Sequence, residues 1–245
     1  MNKHFSTTGI VIRKTDLNEA DRIITVLTED RGKIDCIAKG ARRFSSKFCG
    51  RLELFSQIKI NCYQGRELAI INEAELISCF SDTQDLRKHR VLFYLAELTN
   101  RLVHPSQQIE GAYQLIAETL SHIGSSEKTE ILLHSYLIKL LTITGFIPPW
   151  NRCSKCGVPL DLEKSVRMSF NSSPICHGCA SASGEILNTA IIKLVNFMQN
   201  HPLSGILNVK PSAEESDFVW HWLRGILDEL LSSPIKSEEF LKSAI

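Results

Sequence analysis

The chain changes its hydrophobic period once, near residue 80, and that change calls for two parts built differently. Up to residue 79 the apolar residues come in short β-rich runs, at 9–13, 22–27, 33–38, 52–60 and 68–77. Turn signals separate them, notably Glu29-Asp30-Arg31-Gly32 and Gln64-Gly65. In the fourth run Leu52, Leu54, Ile58 and Ile60 share one parity while Glu53, Lys59 and Asn61 take the other, the alternation of a half-buried strand. Five short strands in roughly 75 residues predict a small barrel. The pattern fits an OB-fold, and an SH3-like barrel would produce nearly the same one.

From residue 81 onward the period is helical. Ser81 and Gln84 have capping-box spacing, and 82–103 runs without Gly or Pro. A second helix is expected over 107–123, stopping at Gly124, and a third over 128–144, ending at Gly145 before Pro148-Pro149. The third carries Leu133, Leu137, Leu140, Leu141 and Thr144 on one face. Leu187, Ile191, Leu194, Val195 and Met198 make another stripe. Ser212 and Glu215 form a second capping box, ahead of a helix expected to bury Val219, Trp222, Leu223, Ile226 and Leu230. These stripes read as core packing. The expected domains are therefore 1–80, a barrel, and 81–245, a helical domain, together an α+β multi-domain chain.

Composition narrows the class. With 43% hydrophobic residues and a net charge of only +1, the chain has the apolar surface to fold and is not a disordered polyanion or polycation. Its most apolar region, 131–147, is broken by His134 and Lys139, short of the roughly 20 apolar residues of a membrane helix, and reads as a buried helix. No secretory signal is visible, since Ile10-Val11-Ile12 stops at Arg13. A cytoplasmic protein is expected, with its eight cysteines as thiols or metal ligands.

Four of those cysteines have ligand spacing: Cys153-Ser-Lys-Cys156 and Cys176-His-Gly-Cys179, C-x2-C-x19-C-x2-C, the pattern of a zinc ribbon. Two thiolates three positions apart on a tight knuckle can occupy two corners of a tetrahedron, and a second knuckle completes it at roughly 2.3 Å per bond. Gly157 and Gly178 suit such knuckles. Four soft ligands leave no open position, so one structural zinc ion is expected, in an insert at 150–183. His177 should point outward. Cys36, Cys49, Cys62 and Cys79 lack paired spacing and read as free, buried or partly buried thiols.

The near-neutral total hides a local field. Residues 31–51 hold Arg31, Lys33, Lys39, Arg42, Arg43, Lys47 and Arg51 against Asp35 alone, a net +6. Phe44 and Phe48 stand among them. Cations attract phosphates and exposed rings stack on unpaired bases, although a solvated loop stapled to the barrel by its Phe residues would look the same. No phosphate-binding loop, dinucleotide fingerprint or H-E-x-x-H is present. Glu214, Glu215, Asp217, Asp228 and Glu229 sit where carboxylates are usually solvated.

The segment Gly32-Lys-Ile-Asp-Cys-Ile-Ala-Lys-Gly-Ala-Arg-Arg43, centred on Ala38-Lys-Gly-Ala-Arg42, resembles the signature of the RecO family of bacterial recombination and repair mediators. So do Gly9-Ile-Val-Ile-Arg13, the Asp21-Arg22 strand with Leu27-Thr-Glu29, the cysteine insert after Gly145-Phe146, and Ile235-Lys-Ser237 before Phe240-Leu241. The resemblance implies a five-stranded OB-fold followed by an α-helical domain with the four-cysteine zinc-ribbon insert. It implies a non-enzymatic mediator that binds single- and double-stranded DNA and anneals complementary strands. Its implied partners are RecR, with which it loads RecA, and single-stranded DNA-binding protein, whose tail would meet the helical domain. Lys39, Arg42 and Arg43 would bind phosphates, Lys33, Lys47 and Arg51 would support them, and Phe44 and Phe48 would stack on bases. Some members lack the cysteines, so the metal would be scaffolding. Such a protein would be cytoplasmic and join the nucleoid during repair. The alternative is a zinc-ribbon module acting on RNA or in transcription.

Overall fold

The computed structural model describes residues 3–80, 85–105, 107–169, 172–180 and 185–241. The Ser81/Gln84 capping pair and residues 170, 171 and 181–183 of the expected insert lie outside the described residues. Packing gathers the chain into two compact units, Met1–Glu127 with Ile235–Ile245, and Lys128–Pro234.

In the first unit, β1 (His4–Leu17), β2 (Asp21–Thr28), β3 (Gly32–Ala38), β4 (Ser56–Gln64) and β5 (Ala69–Cys79) form a closed barrel in the order β1-β2-β3-β5-β4. β1 pairs antiparallel with both β2 and β4, and β3 runs parallel to β5. That closure is the Greek-key arrangement of an OB-fold, and it separates the two barrels the hydrophobic pattern left open. Val11, Ile24, Val26, Cys36, Ile58, Ile60, Cys62 and Ile71 fill the interior. Ile58, Ile60 and Cys62 point inward from β4 while Lys59 and Asn61 face solvent, as the alternation requires.

The fourth strand begins later than expected. Leu52 joins the barrel core from the loop, and Phe55, 1% exposed, adopts φ +65, a left-handed conformation that ends any strand before Ser56. Its carbonyl accepts the Phe80 amide at 3.2 Å and its amide donates to Val11 O at 2.9 Å, so the kink is held from both sides. β1 reaches back to His4 because Ser6, Thr7 and Thr8, although polar, pair with β4.

Against the barrel in this unit lie α1 (Leu86–Leu102) and α2 (Ala112–Ser125). The second starts at 112 rather than 107, after Gly111 at φ +82. Side chains of β3 and α1 hold cations at helix ends: Lys33 Nζ donates to Asn100 O in the last turn of α1, and Lys88 Nζ to Gly124 O at 3.2 Å near the end of α2. Gly32, at φ +65, lies where a Cβ would come within 2.3 Å of Gln107 O, so only glycine lets the segment after α1 pass. The chain end returns here too: Glu97 on α1 accepts Ser237 N at 2.8 Å, Ser237 Oγ at 2.7 Å and Lys236 N at 3.0 Å. These contacts explain why the packing units do not divide where the period changes.

The second unit is built around α3 (Thr129–Ile143), buried from Ile131 to Leu141 except at the half-buried Lys139 and packed by α4 (Thr189–Asn200), α5 (Leu203–Ile206) and α6 (Ala213–Leu230). His134 is 2% exposed and stacks on Trp220 at 5.8 Å, and burial pulls its pKa down to about 4. The Ser212/Glu215 capping box opens α6, with Ser212 N donating to Glu215 Oε2 at 2.7 Å. Leu230, expected inside, is 37% exposed at the last turn of α6. α7 (Glu238–Leu241) belongs to the first unit. No helix among the described residues is long and apolar enough to cross a membrane.

Candidate nucleic-acid interface and metal centre

Residues 39–55 connect β3 to β4 as a long loop over the barrel. Lys39, Arg42, Arg43, Phe44, Lys47 and Arg51 are exposed on it, and Phe44 projects completely, at 105% relative exposure. Lys39 and Arg43 have no ion-pair partner among the described residues. Glu53, the loop's one carboxylate, is taken by Lys14 from β1, so it neutralises none of the loop's own cations.

Two of the cations also cover the barrel. β3 meets β5 only at Cys36↔Ala69 and Ile37↔Ile70, so β5 beyond Ile70 has an edge without a strand partner. Lys47 Nζ donates to Asn72 O at 2.6 Å and Arg51 Nη1 to Ala74 O at 3.2 Å, occupying carbonyls that an open edge would expose. Arg42 is anchored on the β1–β2 turn, its Nη1 donating to Asn18 O at 2.8 Å and its Nε lying 3.5 Å from Asp16. The hydrogen bond from Arg22 and the nearby Arg42 hold the Asp16 carboxyl below its ordinary range.

Two sequence expectations need correction. Lys33 is 6% exposed, its ammonium spent on Asn100 of α1, and burial depresses its pKa. It braces helix against barrel and presents nothing to a phosphate. Phe48 is 4% exposed and packs in the barrel core, with Lys47 Nζ 5.2 Å above its ring, so it cannot stack on a base. The loop thus divides its aromatic pair: Phe48 anchors, Phe44 projects. Sequence reasoning missed Asp16, Asn18 and Asp21, which dock the loop, because two carboxylates and a backbone carbonyl give no signal for a polyanion site. It also missed Arg66, exposed on the β4–β5 turn, one of the two turns through which OB-folds meet oligonucleotides.

The four cysteines come together in the second unit. The Sγ atoms of Cys153, Cys156, Cys176 and Cys179 all lie within 4.8 Å of one another, and those of Cys156 and Cys176 are 3.7 Å apart. A tetrahedron with roughly 2.3 Å metal–sulfur bonds has edges of about 3.8 Å, so the spacing fits a four-coordinate ion. Gly157, at φ +75, turns the first knuckle, with its amide on Cys153 O at 2.9 Å. The second knuckle closes with the Cys179 and Ala180 amides on Cys176 O, both at 3.0 Å, and Gly178 needs no left-handed backbone. Burial pushes the Cys153 thiol up, but amides of Cys176, Cys156 and Lys155 outweigh it and bring it down to about 6. Hydrogen bonding to Cys156 and Cys176 pushes Cys179 up to about 12. Four sulfur donors at this spacing can hold a metal ion. His177 is exposed, its Nδ1 2.9 Å from Ser165 Oγ, and takes no place among the sulfurs.

The insert is tied to the helices around it. β6 (Arg167–Met168) and β7 (Pro174–Ile175) form its hairpin, Ser154 N donates to Pro174 O at 2.9 Å, and Trp222 Nε1 of α6 donates to Ser172 O at 2.8 Å. Of the remaining cysteines, Cys36 and Cys62 are buried in the barrel core, and hydrogen bonding to Cys62 pushes the Cys36 thiol up. Cys49 and Cys79 are exposed, not buried.

Residues 1–80 match the family model described as recombination protein O N terminal, and residues 83–239 match the one described as recombination protein O C terminal. The DNA repair protein RecO of Roseiflexus sp. (strain RS-1) is 30% identical over 231 residues, 91% of this chain and 81% of that protein. That of Listeria monocytogenes serotype 4a (strain HCC23) is 26% identical over 240 residues, 96% of this chain and 92% of the relative. An OB-type barrel, a helical part with four clustered cysteines, and family matches over almost every residue lead to one conclusion: the chain belongs to the RecO family of DNA repair and recombination proteins.

Proposed function

We propose that the protein is a recombination mediator without catalytic chemistry of its own, which binds single- and double-stranded DNA on the barrel and anneals complementary strands. The observation that carries this reading is the exposed set Lys39, Arg42, Arg43, Lys47 and Arg51 around a fully projecting Phe44 on an OB barrel. Cations contact phosphates and release counterions, while the ring offers a base a stacking partner. Two polyanions held on one cationic surface repel each other less, and base pairing then drives annealing. With RecR the protein would load RecA at gaps coated by single-stranded DNA-binding protein, in the cytoplasm and at the nucleoid. The cysteine cluster would hold one zinc ion through Cys153, Cys156, Cys176 and Cys179, closing the insert structurally.

The test is annealing of complementary oligonucleotides precoated with single-stranded DNA-binding protein. Acceleration by the wild-type protein, lost in a Lys39→Ala/Arg43→Ala variant, is the expected result. No acceleration would reject the mediator, and a zinc-ribbon module acting on RNA would give that outcome.

A further inference from the structure

We propose that Asp21 is the positioning residue of this nucleic-acid surface, its carboxylate fixing residues 39–43 on the β1–β2 turn. The inference rests on the DNA-binding reading above and goes further by assigning a role to an acidic residue beside a polyanion site. Charge alone argues against such a residue, because each carboxylate weakens phosphate attraction.

Geometry supplies the reason. In the turn after β3 the amides of Ala41 and Arg43 find backbone acceptors, Ala38 O at 3.3 Å and Gly40 O at 3.1 Å. Gly40 sits at φ +70 and its amide has no backbone acceptor there. Asp21 Oδ1 accepts it at 2.8 Å. The next carbonyl back, Ala20 O, accepts the Arg42 amide at 2.9 Å, and Asn18 O takes the Arg42 guanidinium at 2.8 Å. Asp16 completes the clamp, lying 3.5 Å from Arg42 Nε and 3.0 Å from Arg22 Nε. The whole β1–β2 turn is thus moulded to residues 40–42. Arg42 spends much of its donor set inside the protein, so Lys39 and Arg43 carry the free phosphate contacts and Phe44 is held away from the barrel.

The test compares Asp21→Ala with Asp21→Asn, which removes the charge but keeps an acceptor for Gly40. Affinity is read by anisotropy of a labelled oligo-dT, and loop order by exchange of the Gly40 amide. Losing a hydrogen bond to a charged acceptor corresponds to about tenfold. Asp21→Ala is expected to weaken binding by that factor and speed Gly40 exchange, and Asp21→Asn to restore both to within about twofold. Tighter binding in both variants, or equal weakening in both, overturns the proposal. If Asp21→Ala fails to unfold cooperatively, Arg42→Lys reads the same clamp: it keeps the charge but cannot span Asn18 and Asp16, and unchanged affinity and exchange overturn the proposal. Lys39→Ala/Arg43→Ala is the control for the underlying reading. Wild-type affinity there rejects DNA binding at this loop, whereas weakening there with a neutral Asp21→Ala rejects only the positioning role.

Discussion

Phe44 and Phe48 stand four positions apart in one cationic loop, and the structure gives them opposite tasks that two substitutions can separate. Phe48 is 4% exposed among Ile58, Ile60 and Leu52, and removing such a ring leaves a cavity costing about 3–5 kcal/mol. Against a typical total of about 5–15 kcal/mol, Phe48→Ala should lower the denaturation midpoint of the barrel severely. Phe44 has nothing to lose, and Phe44→Ala should stay within about 0.5 kcal/mol of wild type. On DNA the order reverses. Phe44→Ala should lose about 1–3 kcal/mol of single-strand affinity, the worth of one stacked base, with no change in the salt slope because no phosphate contact is removed. Urea unfolding gives the first comparison, and anisotropy titrations at several salt concentrations give the second. Marked destabilisation by Phe44→Ala, or a Phe48→Ala protein as stable as wild type, would refute the division of labour.

Lys33→Met should leave DNA affinity unchanged while reducing stability by about 1.5–3 kcal/mol, the range for a charged hydrogen bond lost from the α1 terminus, and a loss of affinity like that of a Lys39 variant would return Lys33 to the interface. His134 should make the second unit acid-sensitive. Its pKa falls from 6.5 unfolded to about 4 folded, so the unfolded chain binds the extra proton, and stability is complete above pH 6.5 and declines as pH drops toward 4. The shift corresponds to about 3 kcal/mol, and His134→Gln should flatten that part of a pH–stability curve; an unaltered curve would contradict it. Metal analysis should find about one zinc per chain. Chelation should alter tryptophan emission, since Trp222 is bonded to Ser172 of the insert, and Trp222→Phe should remove most of that change.

The readable and unreadable parts of this chain differ in the range of the forces involved. Ser212 and Glu215 announce their capping box because its partners lie three residues apart, and Cys153 and Cys156 announce a knuckle for the same reason. Alternation in β4 was legible from Ile58 onward but misled at Leu52 and Leu54, where Phe55 leaves the β region and the residues before it plug the barrel from a loop. Parity reports one buried face. It does not report whether a strand or a loop presents it.

By itself the sequence determined the barrel-then-helix order, the four-cysteine set and a cationic loop, all carried by local period, local spacing or local charge. Only the tertiary structure decided which cations of residues 31–51 are free. Lys33 and Lys39 look equivalent along the chain, yet α1 packs so that Asn100, 67 residues away, captures the Lys33 ammonium while Lys39 stays in water. The direction of a lysine depends on where a distant carbonyl comes to rest, and that is a property of packing with no signature in the residues next to it.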